Sequence, residues 1–298
     1  IEVPYYFALS PSYDFTFHPM YTTKHGVLWQ GDWRQRLRFG DVTGTYDVKI
    51  AAIEDGDTRT SRSVTNNDQT WSGSVQTRGR FSIASWWNFG WDVTVESDDY
   101  FRRFYKLDNI LLTDRVNRVF FNGISERNYF GVTGYHFGGL LLNDTPDSES
   151  RVHPVVDWNY VVDQPVPIVG GELSWNVNAL SFTRSEGSVR RDTSSINRIV
   201  ADVNWRRKLT DAIGITYTPF GNLRGDAYQA TDVIDPVTGA ALDDVSLGRG
   251  VASAGVLAAY PWVAHTASAS HVVEPLGQII ARTAKVDQRR LPNEDARS

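Results

Sequence analysis

Apolar and polar residues alternate along most of this chain with the two-residue period that places successive β-strand side chains on opposite faces. In residues 27–37 one face holds Val27, Trp29, Gly31 and Trp33, and the other holds Leu28, Gln30, Asp32 and Arg34. In residues 87–97 the same pattern sets Phe89, Trp91, Val93 and Val95 against Asn88, Asp92, Thr94 and Glu96. A soluble sandwich strand can alternate in this way, but tryptophans repeated on one face favour a surface turned towards lipid.

About thirteen segments of the chain have strand character. Many of them approach the ~9–11 residues that cross a bilayer as a tilted strand. They are residues 13–18, 27–37, 42–52, 71–80, 87–97, 115–124, 129–140, 152–161, 172–181, 196–207, 212–220, 253–260 and 266–281. No segment has a convincing helical period. The pattern therefore predicts an all-β protein.

The connections between these segments alternate between long and short. The long ones are residues 53–70, 98–114, 141–151, 183–195 and 221–252, and the short ones are 38–41, 81–86, 125–128, 163–170, 208–211 and 261–265. Outer-membrane barrels sort their connections in this way, with long loops outside and short turns in the periplasm. The sequence therefore predicts a transmembrane antiparallel β-barrel. If the link at 38–41 is periplasmic, the strand before Met20 rises from the periplasm, and the chain begins there.

The number of strands indicates an incomplete barrel. Single-chain bacterial barrels close with an even number of strands, whereas this chain offers an odd number and continues into the charged stretch LPNEDARS. We therefore expect residues 1–298 to form the first half of a larger barrel. The opening residues have no signal-peptide pattern, so export is inferred from the architecture.

Composition narrows the classes of function. The mean hydropathy of −0.35 looks soluble, but barrels are polar on average because half of each strand faces water. A net charge of −5 argues against a nucleic-acid partner, and the absence of cysteine excludes disulfides and thiolate metal sites within these residues. No HExxH, phosphate-binding glycine loop or GxSxG motif is present. The sequence predicts no enzyme, no cofactor and no metal.

Four stretches carry a family resemblance. PYYFALSPSYDFTFHPMYTTKHG, residues 4–26, and the following WQGDWRQRL resemble the start of the barrel in the LptD family of LPS-assembly outer-membrane proteins. HVVEPLGQIIAR, residues 271–282, resembles that family's mid-barrel strand, and LPNED, residues 291–295, is similar to its continuation. The resemblance implies a periplasmic jelly-roll domain upstream and a second barrel half downstream, neither of which lies in these residues.

The resemblance also implies a function in the bacterial outer membrane. Family members are expected to insert lipopolysaccharide into the outer leaflet. The implied partners are lipopolysaccharide, a plug lipoprotein of the LptE type, a periplasmic bridge protein of the LptA type reached through the missing domain, and outer-membrane lipids. The alternative interpretation is a general porin or receptor barrel for the diffusion or uptake of polar solutes. A third is a secreted β-rich binding or carbohydrate-active protein.

Prolines in the opening stretch are the candidate gate residues. Pro4 and Pro19 match the two prolines that the family places in its first strands, and Pro11 lies in the same motif. The resemblance implies that they loosen the pairing between the first and last strands into a lateral gate. Physically, a proline removes a ladder donor, and each hydrogen bond in such a seam is worth roughly 0.5–1.5 kcal/mol. The simpler alternative is that these prolines only end strands and shape the entry into the barrel.

Polar residues of the early strands are predicted to face the lumen. They are Asp14, His18, Gln30, Asp32, Arg34, Asp47, Lys49 and Asp92. Mixed charges would let a phosphorylated sugar chain pass without tight binding, whereas a generic hydrated lumen or contact with a plug protein explains them equally. Three arginine pairs fall in predicted extracellular loops, where they either bind phosphate or are simply solvated: Arg59 and Arg62, Arg102 and Arg103, and Arg190 and Arg191.

Overall fold

The computed structural model describes residues 1–54, 71–97, 101–107, 114–139, 150–184, 194–233, 240 and 244–283. Almost all of its regular structure is antiparallel β-sheet, which confirms the predicted all-β class. Within the described residues, the strands are β1 Tyr5–Ser10, β2 Tyr13–Phe17, β3 Met20–Thr22, β4 Gly26–Phe39, β5 Val42–Glu54, β6 Trp71–Ile83, β7 Trp87–Glu96, β8 Asp114–Ser125, β9 Asn128–Gly139, β10 Ser150–Val161, β11 Glu172–Arg184, β12 Ser195–Arg206, β13 Leu209–Thr210, β14 Thr216–Thr231, β15 Val245–Ala259, β16 Trp262–His265, β17 Ser270–Val273 and β18 Leu276–Arg282. The described part also has one short helix, α1 Phe101–Phe104.

The strands are joined almost entirely in sequence order. The order is β1-β2-β4-β5-β6-β7-β8-β9-β10-β11-β12-β14-β15-β18, with β3 also paired to β4 and β13 to β14. The hairpin of β16 and β17 forms a separate two-stranded sheet. The chain divides into two compact units: unit 1 comprises Ile1–Ser125, Gly131–Val155 and Ser181–Ser195, and unit 2 comprises Glu126–Phe130, Val156–Leu180 and Ile196–Ser298.

The strands of unit 1 have two chemically different faces. Side chains directly opposite each other on neighbouring strands share a face. One such row runs Gly31, Ile50, Val75 and Val95 across β4 to β7, and its large members are about half exposed or more. We call this side the apolar face. The opposite side, which we call the charged face, carries Asp14, Asp32, Arg34, Asp47, Lys49 and Asp92.

Aromatic rings on the apolar face lie across glycines of the next strand. Trp91 is paired with Gly79, and a Cβ at Gly79 would come within 2.4 Å of the Trp91 ring. The same ring stacks on Phe81 with a centroid distance of 5.6 Å, and Trp91 Nε1 donates to Thr77 Oγ1 at 3.0 Å. This face therefore presents exposed apolar side chains on neighbouring strands, as expected of a surface turned towards lipid.

The structure adds a strand at the start of the chain. Residues 5–10 form β1, and the turn at Pro11 and Ser12 folds β1 back on β2. Residues 1–3 continue this pairing, because Ile1 and Tyr21 exchange two backbone hydrogen bonds. Ile1 therefore lies at the end of the sheet with the long connections after β5 and β7, opposite to the turn at residues 40–41. The sequence predicts that the chain begins in the periplasm and that the long connections lie outside the cell. These two predictions cannot both be correct, because Ile1 and the long connections share one end of the sheet.

The predicted long loop at 221–252 is wrong in large part. β14 and β15 continue their register from Thr216↔Ala259 to Ala230↔Val245. The extension was missed because polar and small residues replace the apolar alternation there. Asp226, whose side chain is 1% exposed, binds Arg249 directly opposite and Arg224 on its own strand, and this charge group helps hold the extended hairpin together.

The predicted single strand at 266–281 is also wrong. Ser270–Val273 pairs with Trp262–His265 as a separate hairpin, and Leu276–Arg282 pairs with β15. The break falls at Glu274 and Pro275, where proline can donate no ladder hydrogen bond. This division, together with the unpredicted strands β1, β3, β13 and β16, raises the predicted thirteen strands to the eighteen found in the described residues.

The connection between β7 and β8 contains an unpredicted helical turn. Phe101 and Tyr105 pack against Leu28, Ala51 and Ile53, and all of these side chains are buried. Because Leu28 and Ile53 are directly opposite each other on the charged side of β4 and β5, this segment folds over that face. Within the described residues, no helix has the length and apolarity required to span a membrane.

Candidate functional site

Alternating charges cross the charged face of unit 1 in one row. Asp14, Arg34, Asp47, Arg78, Asp92 and Arg118 lie directly opposite one another on β2, β4, β5, β6, β7 and β8. We call this set the charge row. Arg34 binds Asp14 through Nε at 2.8 Å and Nη2 at 2.7 Å. Opposite charges in directly paired positions stabilise the register by roughly 0.2–1 kcal/mol each, so the row helps to align the strands.

Asp92 is the most heavily contacted carboxylate of the row. Arg78 Nε lies 3.2 Å from Oδ1, Arg80 Nη2 lies 2.6 Å from Oδ2, and Arg118 Nε and Nη2 each lie 3.1 Å from Oδ2. Arg80 Nη1 also donates to the carbonyl oxygens of Gly79 and Trp91, both at 2.7 Å. A single carboxylate therefore orients three guanidinium groups from two strands.

Two hollows bring most of the predicted lumen-facing residues together. A cleft of about 850 Å³ is lined by Asp14, Asp32, Arg34, Asp47 and Lys49, together with Arg78. A smaller cavity of about 200 Å³ is lined by His18, Gln30, Asp32 and Lys49, together with Tyr105 and Lys106. Asp92 lines neither hollow, but its neighbour Arg78 belongs to the larger one. All eight residues thus lie on one connected polar surface, and its identity as a lumen stays a prediction.

His18 connects the first hairpin to β4. Its Nδ1 lies 2.7 Å from Glu2 Oε1, and its Nε2 lies 3.2 Å from Asp32 Oδ1. The His18 backbone N–H donates to the Gln30 carbonyl at 3.0 Å, and Gln30 Nε2 donates to the His18 carbonyl at 3.2 Å. These contacts link the residues between β2 and β3 to the start of the chain and to β4.

The three candidate gate prolines have different positions. Val3 N–H donates to the Pro19 carbonyl at 3.3 Å, but Pro19 has no N–H with which to return the bond. Pro4 follows Val3, so its nitrogen points to the opposite side of the strand, the outer edge of β1. Pro11 lies in the turn between β1 and β2. Pro19 therefore weakens the hairpin itself, and Pro4 removes a donor from its outer edge.

The outer edge of β1 is the first edge of the sheet. In the strand order of the described residues, β1 stands at one end and β18 at the other. Next to the edge, the ladder of β1 and β2 shifts register between Phe7 and Ser10. An edge with a missing donor and an irregular ladder behind it is a weak template for strand pairing.

Unit 2 has a network of amide side chains across one sheet face. Asn176 Nδ2 donates to Asp202 Oδ1 at 2.9 Å, and Asn204 Nδ2 donates to the same oxygen at 2.6 Å. Asn222 Nδ2 donates to Asn204 Oδ1 at 2.8 Å, and Asn159 Nδ2 donates to Asn176 Oδ1 at 2.5 Å. We call these five residues the amide ladder. It offers a hydrophilic surface of nearly neutral hydrogen-bonding groups.

Several residues of these surfaces were not singled out from the sequence. Arg78 and Arg80 stand two positions apart in a strand-like segment, so their shared face was available as a signal. Arg118 and Glu2 could not be connected to their partners, because strand register is not visible in one sequence. Arg102 was expected in an extracellular loop, either binding phosphate or solvated, but its guanidinium contacts Ser74 at 3.4 Å and Gln76 at 3.3 Å. Arg59, Arg62, Arg190 and Arg191 lie outside the described residues.

The described chain brings no set of metal-binding side chains together. In that part, no group of three or more histidine or carboxylate side chains could hold a metal ion. Its carboxylates are engaged mainly with arginine, as Asp14, Asp92 and Glu172 are. The geometry of the described residues provides polar surfaces and an interrupted sheet edge.

An antiparallel sheet with a charged face and an exposed apolar face is typical of the wall of an outer-membrane β-barrel. The family model described as LPS transport system D, LptD, matches residues 70–298. The chain belongs to this family, which confirms the predicted resemblance and, with it, the outer-membrane location. The description of the family names a transport system.

Curated relatives carry the same family name. The chain is 28% identical over 218 residues to the LPS-assembly protein LptD of Pseudomonas syringae, and the match covers 72% of this chain and 22% of the relative. It is 25% identical over 232 residues to the protein of that name from Pseudomonas fluorescens, with the same coverage of 72% and 22%. The matched region therefore spans about a fifth of these relatives' length.

Proposed function

We propose that this chain is the first part of the barrel of a translocon that inserts lipopolysaccharide into the outer leaflet of the outer membrane. Membership in the LptD family and the names of its relatives support this proposal. The single structural observation that carries it is the edge strand β1, where Pro4 removes a donor from the outermost edge of the sheet. No observation favours a diffusion pore or receptor barrel.

The substrate explains why such an edge is needed. Lipopolysaccharide has apolar acyl chains, which belong in the membrane, and a sugar portion, which needs water. A closed barrel wall would force one of the two through the wrong medium. A wall that parts along one line lets the sugars stay on the polar side while the acyl chains reach lipid.

The charged face is the surface for the sugar portion. We assign Asp14, His18, Gln30, Asp32, Arg34, Asp47, Lys49 and Asp92 to the lumen of the complete barrel. Most of their charges are already paired, as in Arg34–Asp14 and Asp92 with its arginines. Paired charges bind a passing ligand less tightly than free ones, which suits transport.

The complete translocon includes parts that lie outside this chain. A plug lipoprotein of the LptE type would occupy the lumen, and a bridge protein of the LptA type would deliver substrate through a periplasmic jelly-roll domain. The second barrel half would supply the strand that pairs with β1. The described residues therefore provide one side of the lateral gate and part of the lumen surface.

The proposed gate predicts a different effect on lipopolysaccharide delivery for substitution of Pro4, Pro19 and Pro11. Replacing Pro4 with alanine restores a donor at the outer edge, worth roughly 0.5–1.5 kcal/mol if the last strand accepts it. We expect Pro4→Ala to slow lipopolysaccharide delivery, measured as its appearance at the cell surface after a pulse of labelled precursor. Pro19→Ala should slow it less, because it strengthens the hairpin behind the edge, and Pro11→Ala in the turn should have no effect.

A covalent lock tests the same proposal without relying on small energies. A disulfide between β1 and the last strand of the complete protein should stop delivery, and its reduction should restore delivery. Delivery at the normal rate through the locked barrel would contradict a gate at this edge. Heat-modifiable migration on gels serves as the control that each variant still assembles.

A further inference from the structure

Positive charge exceeds negative charge on the charged face towards the short turns. The charge row itself is balanced, with three aspartates and three arginines. The next row towards the turns, Arg36, Thr45, Arg80, Gly90 and Phe120, has two arginines and no acid. The row beyond it contains Arg38 and again no acid, and Asp41 follows only in the turn. The excess is therefore local to one band of the face.

Arg80 of this band lies beside Arg78 and Arg118 of the charge row, and we call these three residues the arginine patch. Their side chains are 53%, 43% and 41% exposed, so a ligand from solvent can reach them. Asp92 is their shared acidic partner, and Asp47 lies directly opposite Arg78. Asp92 keeps the three guanidinium groups pointing towards one place without fully neutralising them.

The ring of Phe120 packs against two arginines of the patch. The Cζ atoms of Arg80 and Arg118 lie 5.1 Å and 5.4 Å from the centre of its ring, within the range of a cation–π contact. The ring can take this position because Gly90 lies directly opposite, where a Cβ would come within 2.6 Å of the Phe120 ring. The Phe120 ring thus holds two arginines in place, which reduces the conformational cost of binding.

We propose that the arginine patch is a phosphate-binding site for the phosphorylated sugar head group of a glycolipid. This inference rests on the proposed function for the identity of the lipid, but the anion site stands on its own geometry. One guanidinium group can bind two oxygens of the same phosphate. A phosphomonoester offers three oxygens and up to two negative charges at one point. It competes with Asp92 for the same donors, so binding is weak and exchangeable.

A phosphate fits the patch better than an acidic protein side chain. A carboxylate from a partner would present one charge and two oxygens, which Asp92 already supplies at this point. Only a ligand with more charge and more oxygens gains by entering beside it. The half-exposed and partly neutralised patch also suits a ligand that must leave again.

The first experiment measures anion binding to the complete protein in detergent, with inorganic phosphate as the probe and ³¹P line broadening as the readout. Arg80→Gln combined with Arg118→Gln should weaken binding about tenfold, because two charge-assisted contacts are lost. Asp92→Asn should strengthen it, because the internal competitor loses its charge. Lys24→Gln, which removes a positive charge from the β3–β4 turn, is the control. Unchanged phosphate binding in the double variant would overturn the proposal.

The second experiment identifies the ligand's source. A photo-crosslinking residue at Ser82, which lies on the charged face two positions beyond Arg80, should capture lipopolysaccharide in cells, and the double arginine variant should lose this crosslink. Phosphate binding without any lipopolysaccharide crosslink, or a crosslink to a protein instead, overturns the glycolipid assignment. A failed disulfide lock at β1 would count against the translocon, whereas the phosphate measurement does not depend on delivery.

Discussion

Asp92 holds three arginine side chains on the charged face, and this makes it more than a polar position in an alternating strand. From the sequence, Asp92→Arg would be tolerated, because the residue faces away from lipid. The structure reverses that expectation, because the new arginine would place a fourth positive charge beside Arg78, Arg80 and Arg118. We expect Asp92→Arg to lower the free energy of unfolding by about 2 kcal/mol, because the charge-assisted hydrogen bonds of Asp92 are lost. The loss is not larger because the arginines are half-exposed and solvent screens their charges.

Urea titration of the refolded complete protein in lipid vesicles measures this effect. Asp92→Asn keeps the shape and removes the charge without adding one, so its loss should be smaller. Equal midpoints for Asp92→Arg and the unsubstituted protein would show that the three arginines do not depend on this carboxylate.

Trp91 is the matched residue on the opposite face. Its ring covers Gly79 and stacks on Phe81, and the apolar face around it is exposed. Trp91→Arg places a charge against lipid, which costs about 2–4 kcal/mol near the midplane of a bilayer. We expect a marked fall in the fraction of heat-modifiable barrel in the membrane, whereas Trp91→Phe should be close to normal. Normal assembly of the arginine variant would mean that this face does not meet lipid.

At the scale of elements, the first hairpin combines weak pairing with a side-chain link. Pro19 leaves one exchange incomplete at Val3, while His18 connects Glu2 to Asp32 across the interruption. The ladder is thus thinned without the hairpin being released from β4. An edge element of this kind can open towards a neighbour while it stays attached to the rest of the sheet.

The Phe101–Leu107 segment is held on the charged face by apolar packing and polar contacts. Phe101 is fully buried against a cluster that includes Leu28 and Ile53, and the Arg102 backbone N–H donates to Glu96 Oε2 at 3.0 Å. Phe101→Ala removes the central side chain, and such core truncations cost about 3–5 kcal/mol when the site cannot collapse. We expect faster amide hydrogen exchange at Tyr105 and Leu107, whose N–H groups bond within the segment.

Phe104, which is 36% exposed, provides the control for this segment. Phe104→Ala should leave the exchange rates nearly unchanged, because less buried area is lost. Similar acceleration in both variants would indicate that the segment is held by its backbone rather than by the buried ring.

At the scale of the whole molecule, the orientation in the membrane is open to a direct test. Ile1 and the long connections of unit 1 share one end of the sheet. If a periplasmic domain precedes Ile1, as the resemblance implies, that end faces the periplasm, and the long-outside rule does not hold here. Cysteines can report this, because the chain contains none.

Single cysteines at Lys24 and Asp41 mark the two ends, in the turn after β3 and the turn after β4. We expect a membrane-impermeant maleimide to label Asp41→Cys on intact cells and Lys24→Cys only after the outer membrane is opened. The reverse pattern would place the long connections outside, as the sequence alone predicts, with Asn66, Ser148 and Ser188 exposed there as well. Those three positions lie outside the described residues.

The alternation of side chains by itself determined the fold class, the two faces and most strand positions, because a strand's faces follow from a local two-residue period. It placed Trp29 and Val95 on one side and Asp32 and Asp92 on the other, and the structure agrees. The opening motif likewise identified the family. These features depend on neighbours in the chain, so one sequence contains them.

Only the tertiary structure decided which residues meet. Register joined Asp92 to Arg118, extended β14 and β15 through a polar stretch around Asp226, and set Pro4 towards the outer edge of β1. The hairpin of β1 and the burial of Phe101 are likewise contacts between distant segments. Such contacts depend on the summed energy of whole ladders and packed clusters, and no local pattern specifies that sum.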